Sequence, residues 1–283
     1  MSPAQFSALP LVALQNDMRI ADEISEEPQA FTRCYHSNQK EKSVWLKPIG
    51  YYYKQENHGE NIGFDSRSYG ACAGYSQVFN SMLNCSFGGG YFYSDLHWNH
   101  SAGTSTTNSI YIAPSFGVIM DYIDFNILVL GAANFHHSDR TISFGTIDRT
   151  ARSQHTSYDV LGQIDVGAML KMQSPFRKQD TLIIRPEVQV NYHNNFGEGY
   201  KESGANSLNL AVQHKYVAFF QSKAGIKFIQ EMKFNQYCVS PDLFVGWLGI
   251  IPLTNGDYTA QFFKQTTCQP NFTVNGFNKT TNQ

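Results

Sequence analysis

The sequence predicts an all-β protein in which a large antiparallel sheet follows one N-terminal helix. Three observations predict it. First, "LIIRPEVQVNYH" (182–193) sorts by parity. Leu182, Ile184, Pro186, Val188, Val190 and Tyr192 fall on one side, while Arg185, Glu187, Gln189, Asn191 and His193 fall on the other. Side chains alternate along an extended chain, so this is a strand with one apolar and one polar face. Second, such segments recur from Val44 onward, separated by polar turns rich in Gly and Asn. Third, charged residues make up 16% of the 283-residue chain and aromatics 14%. An average of about 25% charged residues is usual, so this composition suits contact with lipid or a broad interface. Parity alone leaves a membrane barrel, a soluble β-sandwich and a β-propeller open.

At the N-terminus, Ser2, Pro3 and Gln5 read as a helix start, with an N-cap, a first-turn proline and a capping-box partner. Pro10 interrupts it. Leu11, Leu14, Met18, Ala21 and Ile24 then recur at helical spacing, opposite Asn16, Asp17, Arg19, Asp22 and Glu23, and Pro28 closes the pattern. A mixed stretch, "TRCYHSNQKEKS", links this helix to the strands. Strand segments are predicted over 44–55, 66–79, 82–96, 107–121, 122–136, 155–172, 180–194, 206–231 and 240–252, with a possible tenth at 270–277. Several repeat the parity of 182–193. Val160, Ile164, Val166, Ala168 and Leu170 oppose Gln163, Asp165 and Lys171; Ile123, Phe125, Ile127 and Val129 oppose Asp124 and Asn126; Ala224, Ile226 and Phe228 oppose Lys223 and Lys227. The stretches 97–108 and 137–156 read as long loops able to meet a partner surface.

Three features favour an outer-membrane barrel over the soluble alternatives. The strands approach the 9–11 residues that cross a tilted bilayer. Tyr and Phe gather at strand ends, as in the aromatic girdles of membrane barrels. The polar face carries charges in mid-strand, where a barrel offers a wet lumen. No run of about 18 apolar residues provides a membrane helix. Closure would then be required, because lipid tolerates no open sheet edge. "MSPAQFSALPLVALQND" lacks the basic start, apolar core and cleavage site of a secretory signal. The chain is expected either to stay unexported or to be the downstream piece of a longer protein.

Signals for chemistry are weak. Net charge is −2, which excludes an electrostatic case for a nucleic-acid partner. Cys34, Cys72, Cys85, Cys238 and Cys268 match no zinc spacing and are compatible with one or two disulfides of unread pairing. "DLHWNH" (95–100) and "NFHHSD" (134–139) place His beside Asp but read as solvated loop residues. No G-x-S-x-G elbow occurs. No catalytic, cofactor or metal residue is therefore assigned, and the chain is not expected to be an enzyme.

"VWLKPIGYYYKQ" (44–55) followed by "GFDSRSYGACAGYSQVF" (63–79) resembles the opening strands of the autotransporter β-domain. "FGEGYKESGANSLNLAVQ" (196–213) followed by "FFQSKAGIKF" (219–228) is similar to its signature, and "PDLFVGWLGIIP" (241–252) and 258–277 are similar to its next strand and loop. "SPAQFSALPLVALQNDMR" (2–19) looks like the segment before the barrel. The signature positions are Trp45, Glu202, Gly204, Ala205, Gly225 and Trp247. The likeness is greatest to the polymorphic membrane proteins of chlamydia-like bacteria. It implies an antiparallel transmembrane β-barrel of the twelve-stranded family type, with about nine or ten strands present here and an N-terminal helix threading the pore. Residues 1–42 would be pore helix and linker, and 43–283 the barrel domain lacking its last strands. Its implied role is type V secretion: anchoring an N-terminal passenger, an adhesin in the chlamydial branch, in the outer membrane of a Gram-negative bacterium and helping to export it. Implied partners are outer-membrane lipid, the chain's own passenger segment, the barrel-assembly machinery and, through the passenger, a host-surface receptor. The implied alternatives are a passive pore or surface-loop adhesion protein without cargo, or a non-functional fragment of a split gene. With the apolar face toward lipid, Asp124, Asp165, Lys171, Arg185, Glu187, Gln189, Lys223 and Lys227 would line the lumen. In some members an Asn of the pore helix cleaves its own backbone; Asn16 lies in that region, with a plain helix-surface Asn as the simpler expectation.

Overall fold

The structure, a computed structural model, describes residues 8–34, 41–57, 62–79, 82–120, 122–177, 180–234, 237–255, 257–262, 271–274 and 281–282. Helix α1 (Ala8–Cys34) is followed by β1 (Glu41–Gln55), β2 (Phe64–Phe79), β3 (Leu83–Trp98), β4 (Gly103–Met120), β5 (Ile123–Phe144), β6 (Ile147–Ala168), β7 (Leu170–Gln173) and β8 (Thr181–Gly197). Then come β9 (Tyr200–Lys201), β10 (Leu210–Val212), β11 (Lys215–Phe234), β12 (Tyr237–Val239), β13 (Asp242–Pro252), β14 (Tyr258–Phe262), β15 (Phe272–Val274) and β16 (Thr281–Asn282). One antiparallel sheet runs in the order β1-β2-β3-β4-β5-β6-β8-β11-β13-β16, with β7 beside β8 and β12 beside β11. Most neighbours in the sheet are joined as hairpins, while the β8–β11 and β13–β16 pairings skip the strands of the second sheet. Among the described residues β1 pairs with β2 alone, and the two ends of the sheet stay unjoined. A second, four-stranded sheet runs β15-β14-β10-β9.

The wall wraps α1, which touches β2, β3, β4, β5, β6 and β8. Parity decides which side chains face it. In β8, Arg185, Glu187, Gln189, Asn191 and His193 are buried, whereas Val188 is 55% exposed and Tyr192 46%. The same holds along β5 and β6, where Ile123, Ile127, Val129, Ile164 and Val166 are exposed. An apolar outer surface of this extent has no soluble counterpart and matches the lipid face of a membrane barrel. The inner face is not uniformly polar. Leu128, Leu130 and Leu161 point inward and join Trp45, Phe92 and Tyr111 in a cluster around Leu14, Met18, Ile20 and Ile24. The polar parity of β5 breaks at Leu128 and Leu130 because the apolar stripe of α1 lies against them.

Several sequence expectations are corrected. The helix covers 27 residues and stops at neither proline. Pro10 sits in its first turn, where a missing N–H costs nothing. Pro28 leaves the carbonyl of Ile24 without its helical donor. The wall supplies one: Ser86 Oγ donates to that carbonyl at 3.4 Å, while Asn126 Nδ2 reaches Ser25 O at 3.4 Å and Lys47 Nζ reaches Glu23 O at 3.3 Å. Ser2, Pro3 and Gln5 lie outside the described residues.

The expected loops at 97–108 and 137–156 are mostly strand. They shorten to a one-turn helix at Asn99–Ser101 and to a tight turn at Gly145, because β5 and β6 stay in register from Ile123↔Ala168 to Phe144↔Ile147. The expected strand 206–231 is three pieces: a short helical turn at Asn206–Leu208, then β10, then β11. The segment 270–277 supplies β15 to the small sheet rather than a wall strand. Cys85 is a free thiol; the side chains of Cys34, Cys238 and Cys268 lie outside the described residues.

Candidate functional site: the helix-filled lumen

Two groups of contacts tie α1 to the inner wall, and a third closes one end of that wall. At the end of the barrel with the short turns after β2 and β4, charge dominates. Arg185 is buried and donates to three carboxylates: Nε to Asp124 at 3.1 and 3.2 Å, and its Nη atoms to Asp124, Asp165 and Glu187. One guanidinium can do this because its five N–H groups fan out in a plane. Lys223 Nζ stands 3.2 Å from Glu187 and 3.9 Å from Asp22 of the helix. Lys227 pairs with Glu26 and, at 3.5 Å, with Asp242, while Lys47 pairs with Glu23 at 3.2 Å. Gln189 Nε2 donates to Asp22 Oδ1 at 2.8 Å. These acids, Asp22, Glu23 and Glu26, sit in the second half of α1 and would otherwise face the wall as unpaired negative charge. The wall lysines offset that charge.

Farther up the helix most partners are uncharged, with one buried Asp-His-Asp group among them. Asn16 is buried rather than on a solvated helix surface. Its Nδ2 donates to Ser94 Oγ at 3.1 Å and its Oδ1 accepts the Tyr51 hydroxyl. Beside it, Asp17 Oδ2 accepts from His193 Nε2 at 2.7 Å, and Asp159 Oδ1 lies 3.9 Å from the same nitrogen. Small residues complete the fit. A Cβ on Gly88 would stand 3.0 Å from the Ile24 side chain, so a larger residue there would press the tip of Ile24 aside.

The third group closes the opposite end. Glu202 is buried, accepts from Arg140 Nε at 2.9 Å and from the Leu210 N–H at 2.8 Å, and folds the 202–210 segment onto the tall β5–β6 hairpin. Gly204 takes φ +95°, and a Cβ there would lie 2.7 Å from Thr150 O. Ala205 is fully buried against Ile142 and Ala151. Among the other signature positions, Trp45 points inward with Nε1 bonded to Ser76 at 3.0 Å, Gly225 faces Gly246 across β11 and β13, and Trp247 is half-exposed on the outside.

Asp124, Asp165, Arg185, Glu187, Gln189, Lys223 and Lys227 thus converge. Lys171 does not: it lies in β7 at the strand end and is exposed. The His-Asp stretches divide as well. His97 and Asp95 form an exposed pair at 2.9 Å, but His136 is a buried strand residue bonded to Thr107 and Ser157 at 2.9 Å, not a solvated loop residue. Sequence reasoning misses Asp159, Arg140 and the pairing of Asp17 with His193. The available signal is parity, which places His193 on the polar face of its strand. A passive pore finds no support in a lumen occupied by a helix along its length.

The family model described as the autotransporter beta-domain matches residues 44–283. Among solved structures, the chain is similar to the translocator domain of autotransporter NalP from Neisseria meningitidis, with a TM-score of 0.55 and 12% identity, covering 93% of this chain and 95% of that one. At that identity the likeness shows the shared fold. No curated protein matches the chain. With the match spanning the whole wall, and a helix held inside it, the chain belongs to the autotransporter beta-domain family and is an outer-membrane translocator for the export of its own passenger segment.

Proposed function

We propose that the barrel holds α1 as the last-exported part of a longer chain, with the passenger ahead of it outside the cell and the short-turn end facing the periplasm. Short periplasmic and longer external connections are the rule for such barrels. The observation carrying this reading is the set of ion pairs from Lys47, Lys223 and Lys227 to Glu23, Asp22 and Glu26 on the helix. In it, residues 1–42 are helix and linker and 43–283 the barrel domain. Asp124, Asp165, Arg185, Glu187 and Gln189 form the polar lining that hydrates and pairs the segment in transit, with Lys171 at the periplasmic rim. The passenger is an adhesin that meets a host-surface receptor, the wall is inserted by the barrel-assembly machinery, and the source is a chlamydia-like bacterium. The barrel transports and does not catalyse.

Fusing an export signal and a reporter domain ahead of Met1 tests the translocator role. Protease added to intact Gram-negative cells should cut the reporter while the barrel shows heat-modifiable mobility on gels. A reporter kept in the periplasm by a folded barrel would reject it.

A further inference from the structure

We propose that Asp17, Asp159 and His193 form a binding site for a divalent transition-metal ion of the zinc type, which clamps α1 to strands β6 and β8. One potential ligand atom from each residue lies within 4.8 Å of the other two. His193 Nε2 is 2.7 Å from Asp17 Oδ2 and 3.9 Å from Asp159 Oδ1. Ligand atoms around a tetrahedral zinc stand about 3.3 Å apart, from bond lengths of about 2.0 Å, so the two spacings bracket the required one. Imidazole and carboxylate both ligate zinc, and three protein ligands with a fourth position open is a recurrent zinc coordination.

Three further observations point to a cation. All three side chains are fully buried. Among the described residues no Lys or Arg pairs with either carboxylate; the only ion-pair partner is His193. Two buried carboxylates need compensation, and a divalent ion with neutral imidazole would bring the site to zero net charge. Finally, Asp17 Oδ1 is buried and has no hydrogen-bond partner. Asp159 is already positioned, since Asn134 and Asn195 each donate an amide N–H to it. Loading requires a bare Nε2 and ionised acids, so the protons those atoms carry leave as the ion enters.

The inference rests on α1 lying in the lumen but not on export, and its test reads metal alone. The full chain, refolded in detergent micelles and stripped with EDTA, is titrated with Zn2+ by calorimetry and with Co2+ by visible absorption. The expected result is one equivalent bound per chain, weakened at least about tenfold in His193→Gln and Asp17→Asn and unchanged in His97→Gln, which alters an exposed His-Asp pair. Should the first two variants fail to fold, the unchanged chain decides: Zn2+ must raise its unfolding temperature and EDTA must reverse the rise. Absence of saturable binding, equal affinity in folded His193→Gln, or an unfolding temperature indifferent to Zn2+ would overturn the site. Reporter display on intact cells with no metal bound would remove the site and leave the translocator reading intact.

Discussion

The two ends of the occupied lumen hold the same helix by different means. At the short-turn end, three acids surround Arg185, and lysines from β1 and β11 reach the acids of α1. Toward the other end, Asn16, Tyr51 and Ser94 share neutral hydrogen bonds, and Asn134, Ser157 and Asn195 continue the pattern around Asp159. The difference teaches where the helix is fixed and where it is merely fitted. Desolvated charges cost several kcal/mol each unless paired, so the Arg185 cluster fixes the wall that faces α1, while the lysine pairs to the partly solvated Asp22, Glu23 and Glu26 orient the helix against it. Neutral hydrogen bonds contribute about 1 kcal/mol each and tolerate small displacements.

Breaking the charged end should have the largest effect. Arg185→Ala leaves Asp124, Asp165 and Glu187 buried without their shared cation, a loss of about 3–5 kcal/mol. Loss of the heat-modifiable form at a lower urea concentration would report it. Arg185→Lys should recover little, since an ammonium cannot reproduce the planar fork. A full rescue by lysine would show that charge alone, not geometry, holds this end.

Next comes the wall itself. Val188→Arg places a charge on the lipid face and should cost about 2–4 kcal/mol of barrel stability. Gln189→Arg, one residue on, faces inward beside Asp22 and Glu187 and should cost less, by the same urea titration in lipid vesicles. Equal losses would contradict the orientation of β8. Smaller still is Lys227→Gln. Glu26 is partly solvated, so the pair contributes about 1 kcal/mol or less, and added salt should erase the difference from the unmodified chain.

The wall is legible in the sequence because a strand's facing is a local property. Parity at Arg185, Glu187, Gln189 and Val188 states the answer within a few residues, and each hairpin adds its neighbour. The other end is not legible in that way. Glu202 falls just ahead of the expected strand 206–231, yet its partner Arg140 is 62 residues earlier, and nothing in 196–213 announces that distant guanidinium. Pro28 misleads for the same reason. A proline stops a helix when its orphaned carbonyl has only water to turn to, and here Ser86 of β3 fills the gap. Asp17, Asp159 and His193 likewise come from three elements, so their convergence has no spacing to read.

A last substitution separates fitting from chemistry at the neutral end. Asn16→Ala removes one donor and one acceptor, two neutral hydrogen bonds, and should cost about 2 kcal/mol, still below Arg185→Ala. The side chain of Asn16 is held at both atoms, with Nδ2 given to Ser94 and Oδ1 taken by Tyr51. Self-cleavage would require that nitrogen to leave Ser94 and attack the carbonyl carbon of its own residue, whose helical geometry the wall protects. Intact-mass spectrometry of the folded chain should therefore show one full-length species, unchanged on prolonged incubation. A break after Asn16, abolished in Asn16→Ala but retained in Arg185→Lys, would make the neutral end a reaction site, and the contrast between the two ends would then be one of chemistry against anchorage.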